Sequence, residues 1–222
     1  MAESAVQTLS VVILISGTGS NMRRLAELMQ AGELPIEIKA VISDRTDAKG
    51  LSAAASMGIV TESLNPKLFA NRSEFDMALA QRVASYEPQL VILAGFMRIL
   101  GNDFVARFTD RMLNIHPSLL PKYRGLHTHQ RALDAGDHEH GASVHFVTAE
   151  LDGGPVVLQA HVPVLTGDTA ATLAARVLQQ EHDIYPQAVQ LFASGRLQSL
   201  AGKAWLDGKE LASPLQILSN SV

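Results

Sequence analysis

The sequence predicts an α/β protein, a mostly parallel twisted sheet with helices on both faces, and three observations carry that prediction. Strand-like apolar runs alternate with segments of helical period along the chain. The runs VVILI, within 9–15, and LVILA, at 90–94, are apolar without a break, the pattern of strands covered on both faces. The first run ends in a glycine-rich turn, Ser16-Gly17-Thr18-Gly19-Ser20-Asn21, and a helical segment follows it.

Taken in order, residues 9–15 form the first strand, and the helix after the glycine turn continues to about Gln30. A second strand covers 36–42. The alanine-rich stretch 47–57 is helical and closed by Gly58, and 59–61 is a short strand. Helix 72–86 stops before Pro88, because proline cannot supply the next backbone donor. Strands follow at 90–94 and 111–116, then a helix at 126–135. Strands at 143–147 and 156–164 lead to a long helix over 169–194. Asp207-Gly208 marks a hairpin turn. The last ten residues are expected to be loosely ordered. In such sheets ligands bind beyond the carboxyl ends of the strands, which directs the search for chemistry.

Composition narrows the function classes. A chain of 222 residues is long enough to bury a sizeable core, since folded chains of this size hide roughly 70% of their unfolded surface. The net charge of -4 lacks the basic excess of a nucleic-acid binder. With no cysteine, thiolate metal sites, disulfides and a cysteine nucleophile are excluded. The first ten residues, MAESAVQTLS, lack the basic lead of a secretory signal, and the apolar runs fall short of the ~20 residues of a membrane helix. No nucleic acid and no membrane are therefore expected, and a reducing compartment is compatible.

Two segments carry chemistry. In Gly17-Thr18-Gly19-Ser20-Asn21, glycines allow close backbone approach and the N–H groups of the helix start face an anion. No Gly-Lys-Ser/Thr follows, so this is not a Walker loop, and Met22 stands where a dinucleotide fingerprint needs glycine. A monophosphate suits so short a loop; a plain tight turn capped by Ser20 or Asn21 explains it equally simply. In Met112-Leu113-Asn114-Ile115-His116-Pro117, alternation puts Met112, Asn114 and His116 on one face and Leu113 and Ile115 on the other. Pro117 turns the chain. An amide donor that never ionises beside a histidine suits stabilisation of an oxyanion at a carbonyl under attack. For an isolated Asn-x-His a structural histidine beside a turn-capping asparagine would be favoured; the place at a strand end shifts the balance toward function.

The stretch Leu113-Asn114-Ile115-His116-Pro117-Ser118-Leu119-Leu120-Pro121, continued by Lys122-Tyr123-Arg124-Gly125-Leu126-His127-Thr128-His129, resembles the signature of the folate-dependent formyltransferases. Further matches are Leu93-Ala94-Gly95-Phe96-Met97-Arg98-Ile99-Leu100, His140-Gly141 with Ser143-Val144-His145, Leu151-Asp152-Gly153-Gly154-Pro155, Gln180-Glu181-His182 and Ala204-Trp205-Leu206-Asp207-Gly208. The resemblance narrows to members that formylate the amine of glycinamide ribonucleotide. It implies a single Rossmann-like formyltransferase domain over 9–210, with 1–8 an N-terminal extension and 211–222 a C-terminal tail. It implies small-molecule substrates with 10-formyltetrahydrofolate as co-substrate, no metal, a monomer or weak homodimer, and a cytoplasmic location. It implies that Asn114 and His116 act on the formyl group, with Asp152 supporting His116. Gly19, Ser20 and Asn21 would hold the ribonucleotide phosphate, and Glu181 would contact the same substrate. Arg72 and the backbone of Met97, Arg98, Ile99 and Leu100 would bind the folate. Asn114 and the loop Thr148, Ala149, Glu150, Leu151 and Asp152 would line the pterin pocket.

Glu181 also stands out without the resemblance. It interrupts the apolar helix stripe Leu173, Val177, Ile184, Ala188 and Leu191, where a carboxylate is costly unless satisfied. A ligand group or partial exposure at the stripe's edge would each account for it. Asp152, before Gly153-Gly154, reads from composition as an ordinary turn residue. The pairs His127-x-His129 and His138-x-His140 carry no metal spacing, and the second is expected in a solvated acidic loop. Three rivals remain. A methionyl-tRNA formyltransferase is expected to add a C-terminal domain and basic surface. A formyltetrahydrofolate hydrolase would need no phosphate loop and would carry a regulatory domain. A non-catalytic nucleotide-binding module would give Asn114, His116 and Asp152 no task.

Overall fold

The computed structural model describes residues 8–218; residues 1–7 of the expected extension and 219–222 of the expected tail lie outside them. The sheet order is β11-β7-β6-β5-β4-β1-β2-β3 in an eight-stranded sheet. Its strands are β1 (Leu9–Ile15), β2 (Ile36–Ser43), β3 (Thr61–Ser63), β4 (Leu90–Leu93), β5 (Met112–His116), β6 (Glu139–Phe146), β7 (Val156–Pro163) and β11 (Leu215–Leu218). All neighbours run parallel except around β6, which is antiparallel to both β5 and β7. The helices are α1 (Ser20–Gln30), α2 (Lys49–Ser56), α3 (Arg72–Ala84), α4 (Asn102–Arg107), α5 (Thr128–Asp134) and α6 (Ala170–Ala193). A small antiparallel sheet joins β8 (Leu197–Leu200), β9 (Lys203–Leu206) and β10 (Lys209–Glu210), turning at Asp207-Gly208 as expected. No described helix is long and apolar enough to cross a membrane.

The unbroken apolar runs have a direct cause. Val11, Ile13 and Ile15 pack into one core with α1 and α6, while Val12 and Leu14 enter a second core with α3 and α4. Both faces of β1 are therefore dry, and the same holds for β4, where Leu90 and Ile92 oppose Val91 and Leu93. On β5, Leu113 and Ile115 join the first core and Met112 the second. Caps fix the helices that matter for the site. Asn71 accepts from the Glu74 N–H at 3.0 Å and so starts α3 at Arg72. Thr169 and Thr172 form a reciprocal capping box at the head of α6.

The structure departs from the expectations at several places. β6 begins at Glu139 rather than 143, because it pairs with β7 from Glu139 opposite Pro163 onward. His140 is thus a strand residue, only 1% exposed and 3.1 Å from His129, rather than part of a solvated loop. β3 lies at Thr61–Ser63 instead of 59–61, in register with Val41–Ser43. α5 starts at Thr128 instead of 126, since Gly125 at φ 80 and His127 at φ 59 hold the chain in the left-handed region. Part of the tail expected to be loose is ordered: Leu215–Leu218 pairs in parallel with β7 and forms one edge of the sheet. α4 and β8 were not expected at all; both are short and carry little periodic signal.

Candidate active site

β4 and β5 end side by side, with Leu93 in register with Asn114. The loops after β4, β5 and β6 meet above this edge and enclose a cleft of about 490 Å³. Asn114, His116 and Asp152 form its floor, and the apolar side chains of Met97, Ile99, Leu126 and Leu151 stand exposed around it. The structure brings together the three residues expected to act on the formyl group. His116 is 6% exposed, and its Nδ1 faces Asp152 Oδ2 at 3.5 Å. Its Nε2 lies 3.0 Å from the Tyr123 carbonyl oxygen and must donate, because a carbonyl only accepts. Both ring nitrogens are thus engaged within the protein.

Asp152 is more than a turn residue. Its backbone adopts φ 47, its Oδ2 accepts the Gly125 N–H at 2.8 Å, and its side chain is 9% exposed. Packing requires the second glycine after it, since a Cβ at Gly154 would collide with the Phe146 carbonyl, whereas one at Gly153 would meet only the exposed Glu150 side chain, which can move aside. An Arg124–Glu150 ion pair adds a second clasp between the loops after β5 and β6. The residues expected to hold folate lie around the same opening. Met97 N–H donates to Ser16 Oγ at 2.8 Å. The Arg98 guanidinium sits over the Phe75 ring at 4.8 Å. Leu100 is buried, whereas Met97 and Ile99 are exposed. Arg72 donates from Nη2 to the Ile99 carbonyl at 2.7 Å and lies 3.5 Å from Asp76, on the outer flank of that loop. Thr148, Ala149, Glu150, Leu151 and Asp152 line a small recess with Asn114, Phe96 and His145.

The glycine loop and Glu181 form a second group. Gly19 is the left-handed residue before α1, at φ 70, and a Cβ there would stand 3.0 Å from the Gly50 Cα. Asn21 on α1 donates to Glu181 Oε2 on α6 at 2.6 Å. Glu181 is 8% exposed, so it is a buried carboxyl rather than an edge residue. Burial first, opposed by the Asn21 bond, pushes its pKa up to about 7. Asn21 Oδ1 has no hydrogen-bond partner within the described residues. Ser16 ties this group to the cleft, its N–H donating to the Gly95 carbonyl at 3.1 Å while its Oγ holds Met97.

Sequence reasoning missed three supporting residues. Tyr185, fully buried on α6, holds its hydroxyl 2.9 Å from the carbonyl oxygens of both Leu93 and Leu113, at the edge where Asn114 emerges. Ser143 Oγ donates to the Ser118 carbonyl at 2.6 Å and accepts the Leu120 N–H at 3.0 Å, pinning the loop after His116. His145 contacts Asn114 at 3.0 Å. The last two could have been found in the alternation of β6, where Gly141, Ser143 and His145 share a face against Ala142, Val144 and Phe146. Among the described residues no cluster of three metal-ligating side chains occurs.

Comparison with known proteins agrees with this architecture. Residues 9–189 match the model of the formyl transferase family. Phosphoribosylglycinamide formyltransferase of Escherichia coli is 50% identical over 203 residues, covering 91% of this chain and 96% of that protein. The human trifunctional purine biosynthetic protein adenosine-3 is 46% identical over 188 residues, 85% of this chain and 19% of that much longer one. The structure of phosphoribosylglycinamide formyltransferase from Coxiella burnetii superimposes with a TM-score of 0.90 at 48% identity, covering 94% of this chain and 99% of that one.

Proposed function

The chain belongs to the formyl transferase family, and on that premise we propose that it transfers the formyl group of 10-formyltetrahydrofolate to the amine of glycinamide ribonucleotide. It is a transferase of purine nucleotide synthesis. The observation that carries the reading is the grouping of Asn114, His116 and Asp152 at the floor of a cleft with an apolar rim. A flat pterin suits the recess beside Asn114, lined by the 148–152 loop. Arg72 and the 97–100 backbone are assigned to the rest of the folate. The glycine loop from Gly19 to Asn21 is assigned to the phosphate, and Glu181 to a ribonucleotide hydroxyl or amine. No step in the scheme calls for a metal ion.

The substrate amine attacks the formyl carbon, negative charge grows on the formyl oxygen, and the departing folate nitrogen takes a proton. Asn114 donates to that oxygen, an interaction worth most in a site from which water is excluded. For His116 to donate there as well, Nε2 exchanges the Tyr123 carbonyl for the formyl oxygen, one acceptor for another. His116 or a water carries the proton from the attacking nitrogen. A monomer or weak homodimer working in the cytoplasm completes the proposal, in keeping with a role in purine synthesis.

The test is to incubate the protein with 10-formyltetrahydrofolate, with and without glycinamide ribonucleotide, and follow tetrahydrofolate. Release only with the ribonucleotide is the expected result. Release without it indicates a hydrolase, and none in either case a binding module.

A further inference from the structure

An asparagine amide has two ends of nearly the same shape and opposite hydrogen-bonding sense. Only the NH₂ end serves an oxyanion; the flipped amide would turn a carbonyl oxygen toward the growing charge. Something must therefore decide the orientation of Asn114. Its cross-strand partner is His145, directly opposite on β6, and Nδ2 of Asn114 lies 3.0 Å from Nε2 of that ring.

The far side of the ring settles which atom donates. His145 Nδ1 lies 2.9 Å from the Phe146 carbonyl oxygen. A carbonyl cannot donate, so Nδ1 carries the hydrogen. His145 is 2% exposed, and burial, the largest influence, pushes its pKa down to about 4. A neutral imidazole has one ring hydrogen, and here Nδ1 holds it. Nε2 is then a bare lone pair, which accepts from an N–H and repels an amide oxygen. Asp152 Oδ1 stands 3.8 Å from Nε2, outside hydrogen-bond range, and a carboxylate has no proton to offer it. The Phe146 carbonyl is itself held in place: the Phe146 N–H donates to Pro155 O at 3.1 Å, and Gly154 packs against the carbonyl too closely for any side chain.

We infer that His145 is a positioning residue for the transfer reaction: its Nε2 lone pair fixes the amide orientation of Asn114, so that the second Asn114 N–H is directed to the cleft as the oxyanion donor. The inference rests on the reading of Asn114 as that donor. Direction passes from the Phe146 carbonyl through the ring tautomer to the amide, with no contact between His145 and substrate required. In this it resembles the outer residues that fix the tautomer and aim of a metal-bound histidine.

Three variants separate the possibilities. His145→Phe removes the lone pair and keeps a ring; it should lower kcat by about tenfold or more while both KM values stay within about twofold. His145→Gln, which can still accept, should recover most of that loss. In an Asn114→Ala background, His145→Phe should cost less than about twofold further, because its partner is already gone. If Asn114→Ala alone turns over near normally, the reading of Asn114 fails. If Asn114→Ala is crippled but His145→Phe multiplies in full on top of it, or if the Gln and Phe variants lose equally, the inference about His145 is overturned. Should His145→Phe not fold, ¹⁵N-labelled wild-type protein decides. A through-hydrogen-bond ¹⁵N–¹⁵N coupling between Asn114 Nδ2 and His145 Nε2 is expected, and its absence, or a hydrogen on Nε2, overturns the inference.

Discussion

At the proposed formyl end of the site, Asn114, His116, His145 and Asp152 engage one another and the neighbouring backbone, with His116 and His145 each contacted on both ring nitrogens. At the proposed ribonucleotide end, Asn21 and Glu181 share a hydrogen bond, and among the described residues Asn21 Oδ1 has no partner and the buried Glu181 pairs with no cation. The contrast follows the tasks assigned to them. Groups that act on a transition state gain from being held in place beforehand, because no reorganisation is then needed as charge develops. Groups that recognise a ground-state substrate can leave polar atoms unsatisfied, since a ligand then recovers what burial cost. On the proposed assignments, one end is built for rate and the other for affinity.

Mutations at the two ends should separate along that line. The largest effect is expected from Asn114→Ala, a fall in turnover of about 100-fold or more for one lost oxyanion donor, with only a modest fall in melting temperature as the buried His145 Nε2 loses its donor. Comparable loss of folding would break the comparison by making Asn114 structural. Asp152→Asn comes next, with turnover down roughly tenfold to 100-fold and ribonucleotide KM nearly constant. Asparagine tolerates the left-handed backbone and can still accept from Gly125, so shape is kept while the charge facing His116 is removed. An active Asp152→Asn enzyme would reduce Asp152 to a loop former.

Glu181→Gln should act at the other end, raising ribonucleotide KM by about tenfold with kcat little changed. It also carries a pH signature. Burial raises the folded-state pKa from 4.5 to about 7, so the folded chain holds that proton more tightly than the unfolded one. The resulting stability is fully present below about pH 4.5 and is lost as pH rises through about 7. The glutamine variant should therefore be more stable than the parent by about 3 kcal/mol at pH 8 and no more stable at pH 4, which denaturant titration at the two pH values checks.

The smallest effect is expected from Gly17→Ala. Gly19 is a poor probe of ligand contact, because its positive φ and its approach to Gly50 make any substitution a test of folding as well. A Cβ at Gly17 would meet no atom within 4 Å, and the backbone there has no positive φ, so the fold does not require glycine at that position. If the loop holds phosphate, Gly17→Ala should raise ribonucleotide KM a few-fold and leave the melting temperature and folate KM unchanged. Equal weakening toward both ligands would make the loop a simple turn.

Much of the fold was legible because it depends on local pattern. The double-sided burial of β1 and β4 shows as unbroken apolar runs, and the Asp207-Gly208 hairpin needs only its own turn residues. β11 was not legible: its pairing with β7 joins Leu215 to Leu158, and nothing in its own short sequence announces that edge. The early start of β6 failed for the same reason, since Glu139 and His140 are strand residues only through their partners Pro163 and Val162.

The candidate site divides in the same way. Alternation and a terminal proline were enough to put Asn114 and His116 on one face of a strand end, and a carboxylate inside an apolar stripe was enough to mark Glu181. Residue types and their spacing determine these points, because strand and helix periods act over a few residues. Only the tertiary structure decided that Asn21 is the partner of Glu181, 160 residues away, that Asp152 reaches His116 and Gly125, and that His145 stands opposite Asn114. Those pairings depend on strand order and on the loops after β5 and β6 closing over one edge. Hydrogen-bond direction, tautomer and burial are properties of the assembled surroundings, and no residue carries them in its own side chain.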